Sequence, residues 1–189
     1  MYSSQGPPRW PTTITQDDFF EHPFVFHTLS QALLYWDREN HPEDIGAFPG
    51  VRTKSLHNVS NDIWRQVMHL LEPSYNKFGV TYKDGYHNYS FSKLKKDFIQ
   101  DMHSDDDDRV ASHEMILAGV IYLNPTPINP LETGTWFTID NQIKKIENKY
   151  NRLVLYDGAT MHSAGAAWGD SWDDCRLTLT IAATFPLRF

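Results

Sequence analysis

The side chains best able to bind a metal ion occur in two short stretches, "DMHSDDDD" (101–108) and "YDGATMHSAG" (156–165). In the first, His103 and Asp105 are two positions apart, so both point to the same face of an extended strand. In the second, His162 follows an apolar, strand-like run. Two histidines and one carboxylate on one side of an ion form the ligand set of non-haem iron(II) sites. We therefore predict a metal site made by His103, Asp105 and His162.

The acidic run leaves other assignments open. One alternative is a solvated surface loop, because most histidines beside acidic residues lie on the surface. A second is that His113 and Glu114, which follow the run, replace one of the ligands, although their distance from His103 suits a loop better than a strand face. Three further aspartates are expected to point away or to lie in the following loop: Asp106, Asp107 and Asp108.

Composition excludes several other kinds of site. A structural zinc site uses four ligands, often including cysteine, and Cys175 is the only cysteine here. A single cysteine also excludes an internal disulfide and suits a reducing compartment. The net charge of −7, without a basic stripe, disfavours binding to nucleic acid or to anionic membranes. With no signal-like or membrane-spanning apolar run, a cytoplasmic location is expected.

A third candidate group lies on the strand-like segment "RLTLTIAATF" (176–185). Arg176, Thr178 and Thr180 alternate with apolar residues, which places a guanidinium and two hydroxyls on one strand face. Burying an unpaired guanidinium costs several kcal/mol, so an inward arginine implies an anion such as a ligand carboxylate. The alternative is an arginine that pairs with an acidic residue of another strand or leans out to solvent.

Helical patterns come first along the chain and strand patterns follow. Residues 29–40 and 61–79 have helical patterns, and in the second Ser60 can cap the start and Gly79 can end the helix. In that helix an apolar face is expected from Ile63, Trp64, Val67, Leu70 and Leu71. Residues 80–92 are interpreted as a hairpin around Asp84-Gly85. Strands are predicted at 115–125, 134–140, 151–158 and 176–185. This order favours a barrel or sandwich with helices on one side.

Together these motifs resemble the iron(II)- and 2-oxoglutarate-dependent dioxygenases, and in particular their prolyl-hydroxylase-like branch. The likeness extends over residues 85–185 and rests on His-x-Asp, a distal histidine and Arg-x-Thr in the last strand. Three further segments match the branch: "GVIYLNP" (119–125), "LETGTWF" (131–137) and "YNRLVLYDGATMHSAG" (150–165). "FPGVRT" (48–53) is similar to a small branch of these proteins in bacteria and phages.

The resemblance implies a fold. It is mainly β with flanking helices (α+β): a double-stranded β-helix, or jelly-roll and cupin-like barrel, with N-terminal helices packed on one sheet. A single domain is expected over residues 1–189, with 1–79 as helical support and 80–189 as the barrel core.

The resemblance also implies roles for residues. His103, Asp105 and His162 would bind Fe(2+), while Arg176 and Tyr122 would hold the distal carboxylate of 2-oxoglutarate. Thr178 or Thr180 would add a hydroxyl. The implied reaction uses O2 to hydroxylate a C–H bond of a peptide, protein side chain or small molecule, with oxidative decarboxylation of 2-oxoglutarate to succinate. The partners would be this co-substrate and an unidentified peptide or metabolite.

Two other functions are compatible with parts of the pattern. One is a cupin-like protein that binds a metal or small ligand without oxygenase turnover, and the other is metal-dependent hydrolysis or isomerisation. Arg176 with Tyr122 argues against both, because neither needs a distal carboxylate anchor. The acidic run after His103 and the long segment 163–175 depart from the family and alter the pocket mouth. Two tryptophans of that segment could pack in the protein or cover a substrate: Trp168 and Trp172.

Overall fold

The computed structural model of this chain describes residues 13–43, 48–98, 100–105 and 114–186. The helices are α1 (Pro23–Ala32), α2 (Leu56–Val59) and α3 (Asn61–Lys77). The strands are β1 (Thr13–Gln16), β2 (Val51–Arg52), β3 (Tyr86–Leu94), β4 (Glu114–Tyr122), β5 (Thr135–Ile139), β6 (Gln142–Ile146), β7 (Leu153–Asp157), β8 (His162–Ala164) and β9 (Arg176–Pro186). Within these residues no helix is both long and apolar enough to span a bilayer.

The strands form two antiparallel sheets. The larger has the order β1-β7-β4-β9-β3-β2, and the smaller has the order β6-β5-β8. Strand β9 is central in the larger sheet, where Ile181 pairs with Gly119 of β4 and with Tyr89 of β3. The molecule is mainly β with few helices, which confirms the coarse fold class predicted from the sequence.

The two faces of the larger sheet contact different partners. On one face, Leu179 and Ile181 share a cluster of buried side chains with Val67, Leu71 and Tyr75 of α3. On the other face, a second cluster joins β4 and β7 to Phe137 of the smaller sheet. Alternation along β9 therefore directs its leucines towards the helices and leaves its polar residues for the space between the sheets.

Helix α3 matches its predicted bounds because its end signals are strong. The Ser60 hydroxyl accepts a hydrogen bond from the Ile63 backbone N–H at 3.4 Å, and Gly79 follows the helix with φ +71°. Val67 and Leu71 are fully buried, as expected. Leu70 is the exception, since 44% of its surface is exposed. The apolar stripe of α3 is thus narrower than the sequence pattern indicates.

The first predicted helix is shifted along the chain. It was expected at 29–40, whereas α1 spans Pro23–Ala32 and the backbone is extended at Leu33. Pro23 occupies the first turn, where its missing N–H is not needed. Beyond the helix, Trp36 and Arg52 exchange two backbone hydrogen bonds of 2.9 Å, so that segment pairs with a strand instead of continuing the helix.

The hairpin predicted at 80–92 is wrong. A short 3-10 helix, Tyr82–Asp84, leads into the single strand β3, which pairs with β9 and β2. Gly85 has φ −110°, not the positive φ of a type I′ turn. Glycine is required at position 85 for a different reason: a Cβ there would lie only 2.5 Å from the Phe185 ring. Packing against β9 overrides the local turn signal.

Two strands from the N-terminal part extend the larger sheet. Strand β1 pairs with β7, Ile14 lying opposite Leu155, and β2 pairs with β3. Residues before position 80, expected as helical support, therefore supply strands at both ends of the larger sheet, next to the helices. The short strands β6 and β8 were not predicted from the sequence. Strand β6 is mostly polar, and β8 has only three residues.

Candidate active site

The two histidines predicted as ligands are held together by a backbone bridge. The His103 N–H donates to the His162 carbonyl at 2.9 Å, and the His162 N–H donates to the His103 carbonyl at 2.8 Å. Asp105 follows two residues later, and its N–H donates to the Gly158 carbonyl at 2.8 Å. One ligand atom from each of these three side chains lies within 4.8 Å of the others. The predicted residues therefore converge on one point.

The rings of both histidines are oriented in the same way. His103 Nδ1 lies 2.8 Å from the Asp101 carbonyl, and His162 Nδ1 lies 2.8 Å from the Thr160 carbonyl. A carbonyl only accepts, so each Nδ1 carries the hydrogen and each Nε2 keeps its lone pair. Such bonds orient metal-binding imidazoles and make them better ligands.

The carboxylate of Asp105 faces both lone pairs. Its Oδ1 lies 3.8 Å from His103 Nε2, and its Oδ2 lies 3.6 Å from His162 Nε2. These distances are too long for hydrogen bonds. Neutral imidazoles and a carboxylate, gathered around a space between them, fit a divalent transition metal such as iron(II).

Gln100 gives independent support for the Nε2 lone pair of His103. The Gln100 Oε1 accepts from the Ala164 N–H at 3.0 Å, which identifies the other amide atom as the NH2 group. That NH2 nitrogen lies 3.2 Å from His103 Nε2 and can only donate. Sequence reasoning missed Gln100, because no periodic pattern marks it.

The site is closed on one side and open on the other. His162 is 4% exposed, and the Tyr156 ring lies 4.5 Å from its ring. Burial lowers the pKa of His162, although Asp105 opposes this shift, so the imidazole remains neutral and able to bind metal. The side chains of His103 and Asp105 are each 34% exposed. Additional ligands can reach the metal position from that open side.

A cavity of about 380 Å³ extends from this site between the sheets. Besides the three candidate ligands, it is lined by residues that include Arg52, Thr135, Tyr156, Arg176, Thr178 and Thr180. Sequence reasoning named Arg176 and both threonines of β9. Thr135 and Arg52 were missed as cavity residues.

Arg176 is buried without a carboxylate partner among the described residues. Its Nε donates to the Thr133 carbonyl at 2.9 Å, and its guanidinium carbon lies 5.6 Å from the centre of the Tyr122 ring. Only 3% of its surface is exposed, and this burial lowers its pKa. Carbonyl groups orient the guanidinium but leave its charge uncompensated, which favours an anion in the cavity.

The polar residues around Arg176 differ in what they can offer. Tyr122 is fully buried and does not itself line the cavity, and its hydroxyl lies 2.6 Å from the hydroxyl of Thr135, which does. The Thr180 hydroxyl is 2.7 Å from that of Ser92. Thr178 lines the cavity two residues nearer to Arg176. Thr178 is thus better placed than Thr180 to contact an anion bound by Arg176.

The remaining sequence candidates that the structure describes are not part of this cluster. Glu114 is exposed at the start of β4, opposite Pro186. His113 lies outside the described residues, as do Asp106, Asp107 and Asp108. Trp168 is only 7% exposed, and the Trp172 ring packs 5.7 Å from that of Phe98. Neither tryptophan lines the cavity, which favours the packing alternative.

No protein-family model matches the chain, and no curated protein sequence matches it. Its fold is similar to HygX from Streptomyces hygroscopicus, solved with nickel and 2-oxoglutarate bound: TM-score 0.68, 14% identity, 94% of this chain and 84% of that chain. It is also similar to a Pseudomonas putida prolyl-4-hydroxylase, with TM-score 0.64, 14% identity and 94% of each chain. A Trichoplax adhaerens prolyl hydroxylase, in complex with a peptide fragment of hypoxia inducible factor, gives TM-score 0.62 and 10% identity over 93% of this chain and 83% of that chain. The chain thus has the mainly β, jelly-roll fold of the prolyl-hydroxylase-like iron- and 2-oxoglutarate-dependent oxygenases.

Proposed function

We propose that this protein is an Fe(II)- and 2-oxoglutarate-dependent dioxygenase that hydroxylates a C–H bond. The proposal rests on one observation above all. The triad His103, Asp105 and His162 shares a cavity with the buried, uncompensated guanidinium of Arg176. A protein that only binds metal has no need for a second charge of this kind, whereas a dicarboxylate co-substrate needs an anchor away from the metal.

The triad would hold the metal through His103 Nε2, His162 Nε2 and one oxygen of Asp105. The carbonyl groups of Asp101 and Thr160 keep both rings turned towards the ion. When bound, iron(II) supplies the oxygen activation by which O2, 2-oxoglutarate and a C–H bond become succinate, carbon dioxide and an alcohol. The protein contributes placement of the reactants and exclusion of water.

Arg176 and Tyr122 would bind the carboxylate of 2-oxoglutarate that is remote from the metal. The guanidinium offers a planar pair of donors, and the phenol adds one more. Burial raises the pKa of Tyr122, so its hydroxyl keeps the proton that it would donate. Thr178 would supply a further hydroxyl, in preference to Thr180, because it is two residues nearer to Arg176 along β9 and pairs with Tyr122.

The architecture supports two finer proposals. Strands of the two antiparallel sheets would correspond to the double-stranded β-helix of these oxygenases, within a single domain. The primary substrate is a peptide or a small molecule. Related folds have been solved with either kind, since HygX binds hygromycin B and the Trichoplax enzyme binds a peptide.

The decisive test is anaerobic addition of iron(II) and then 2-oxoglutarate, followed by visible absorption. We expect a weak charge-transfer band in the wild type and its loss in Arg176→Ala at the same 2-oxoglutarate concentration. Subsequent exposure to oxygen should yield succinate. Absence of the band in the wild type would refute the oxygenase proposal. A normal band without any succinate would instead favour a metal- and ligand-binding protein that does not turn over.

A further inference from the structure

A second arginine, Arg52, lines the same cavity. It lies on β2, at the edge of the larger sheet, and pairs with Ser92, which in turn pairs with Thr178. Residues paired across antiparallel strands point to the same face, so Arg52 shares the inner face with these two cavity residues. The proposed binding of metal and 2-oxoglutarate does not use Arg52.

The backbone around Arg52 holds it firmly in this position. Arg52 and Trp36 exchange two backbone hydrogen bonds of 2.9 Å. Two residues earlier, Gly50 has φ +71°, and a Cβ there would lie only 2.2 Å from the Lys93 carbonyl oxygen. Such a close approach to β3 requires glycine at this position. The backbone at the start of β2 therefore lies close to β3, and the Arg52 side chain lines the cavity.

The Arg52 guanidinium has no acidic partner among the described residues. Its Nε is buried and has no hydrogen-bond partner among these residues, and the Phe48 ring lies 4.8 Å from the guanidinium carbon. Burial lowers its pKa to about 10, and Asp105 and Tyr156 are the groups whose charges oppose that shift. Arg52 thus remains a cation at neutral pH. A buried donor without a partner is unfavourable unless a ligand satisfies it.

Charge balance in the loaded cavity indicates what that ligand must be. A divalent metal and Arg176 together carry three positive charges, which Asp105 and the two carboxylates of 2-oxoglutarate neutralise. Both histidines are neutral as ligands, and burial raises the pKa of Tyr156, so its phenol is neutral too. Among the described residues that line the cavity, Arg52 is the one whose charge is left over. It calls for one additional negative charge, near the metal but separate from the co-substrate.

From this geometry we infer that Arg52 binds a carboxylate of the primary substrate, which is therefore a small carboxylic acid such as a free or N-blocked amino acid. This inference rests on the proposed function, because it assigns the substrate of the same site. The guanidinium fork fixes the carboxylate at the sheet edge and leaves the rest of the molecule to extend towards the metal. Arg52 is thus a determinant of specificity for an acid over its amide.

The inference is tested by binding to protein that carries Mn(II) and 2-oxoglutarate without oxygen, so that no turnover occurs. The probes are N-acetylglycine and N-acetylglycinamide, which differ only in the carboxylate, and binding is followed by calorimetry. We expect the wild type to bind the acid at least about tenfold more tightly than the amide, in line with a charged hydrogen bond. Arg52→Met should lose this preference, and Arg52→Lys should retain part of it. Arg65→Met, an exposed site on α3, is the matched control.

Other results of these binding measurements would contradict either the inference or the proposed function. Equal binding of acid and amide by the wild type, or an unchanged preference in Arg52→Met, overturns the inference. Weaker 2-oxoglutarate binding in Arg52→Met also overturns it, by making Arg52 a co-substrate anchor. Failure of Mn(II) or 2-oxoglutarate to bind the wild type is seen before any probe is added and refutes the proposed function itself. Thermal unfolding without ligands gives a further check. We expect Arg52→Met to be at least as stable as the wild type, because the substitution removes a buried charge without a partner among the described residues. If the unfolding midpoint of Arg52→Met were lower than that of Arg65→Met, Arg52 would have a structural role instead.

Discussion

Gly158 lies directly against Asp105. The Asp105 N–H donates to the Gly158 carbonyl at 2.8 Å, and a Cβ on Gly158 would lie 3.2 Å from Asp105 Cβ and 2.9 Å from an Ile116 side-chain carbon. The backbone of the turn after β7 therefore supports the carboxylate that completes the proposed metal site. A side chain at position 158 would push Asp105 away from the two histidines.

Gly158→Ala should accordingly weaken metal binding. Residues that orient metal ligands commonly contribute about 10- to 100-fold in affinity, and we expect a loss in that range. Mn(II) affinity measured by electron paramagnetic resonance would check it. Ala159→Ser, which adds one atom at the exposed neighbour, is the control and should bind normally. Normal Mn(II) affinity in a folded Gly158→Ala protein would show that Asp105 does not depend on this contact.

Replacement of the ligands themselves should strongly weaken metal binding. His162→Ala removes one of two imidazoles, and Asp105→Asn removes the only charge of the triad. We expect less than stoichiometric iron(II) in both variants at concentrations that saturate the wild type. The control is His22→Ala, because the side chain of His22 is 76% exposed and does not line this cavity. Full iron occupancy in His162→Ala would contradict the ligand assignment.

Loss of the Tyr122 hydroxyl should weaken 2-oxoglutarate binding and spare the metal. A hydrogen bond to a charged group contributes about 1.5–3 kcal/mol, which corresponds to about 10- to 100-fold in the dissociation constant. Tyr122→Phe is expected in this range, and Arg176→Ala should lose more because it removes the charge. Quenching of tryptophan fluorescence in anaerobic titrations would measure both. If Arg176→Ala kept its 2-oxoglutarate affinity, the anchor assignment would be wrong.

The sequence predicted the proposed ligands and anchor because their geometry follows from strand periodicity. His103 and Asp105 share a face at a spacing of two, and the same rule places Arg176, Thr178 and Thr180 together. These relations hold whatever the rest of the fold does. His162 was proposed as the third ligand because it follows a strand-like run, and the resemblance to a known family implies the same role. Spacing alone cannot show that residues from distant strands meet.

Other features depended on contacts between distant segments. Gln100 bonds to His103 and Ala164, and Arg52 enters the cavity from a two-residue strand. Neither has a local pattern. Asp84-Gly85 has a local pattern that indicates a hairpin, yet packing of Gly85 against Phe185 decides the outcome. Tertiary contacts thus determined what the sequence pattern left open or assigned wrongly.

A buried chain of hydrogen bonds joins α3 to β3 on the opposite face of the larger sheet. His87 Nε2 lies 2.7 Å from the Tyr82 carbonyl, so Nε2 carries the hydrogen and Nδ1 accepts from the Tyr89 hydroxyl at 3.1 Å. The Tyr89 hydroxyl then accepts from that of Tyr75 at 3.0 Å. Protonation of His87 would reverse this order and leave the Tyr75 hydroxyl hydrogen without an acceptor in the chain.

Acidification should therefore destabilise the protein through His87. Burial lowers the pKa of His87 in the folded state, so the unfolded chain takes up the proton first as the pH falls. The stability present above the ordinary histidine pKa of about 6.5 is then lost at lower pH. Urea unfolding at about pH 7.5 and about pH 5.5 would measure this loss, and comparing variants cancels the contribution of other titrating groups. Between these two pH values, we expect a smaller loss of stability in His87→Gln, because glutamine does not titrate. Separately, Tyr75→Phe should lower the free energy of unfolding by about 1 kcal/mol at pH 7.5, because it removes one buried hydrogen bond. Identical losses in the wild type and His87→Gln would show that His87 does not couple stability to pH.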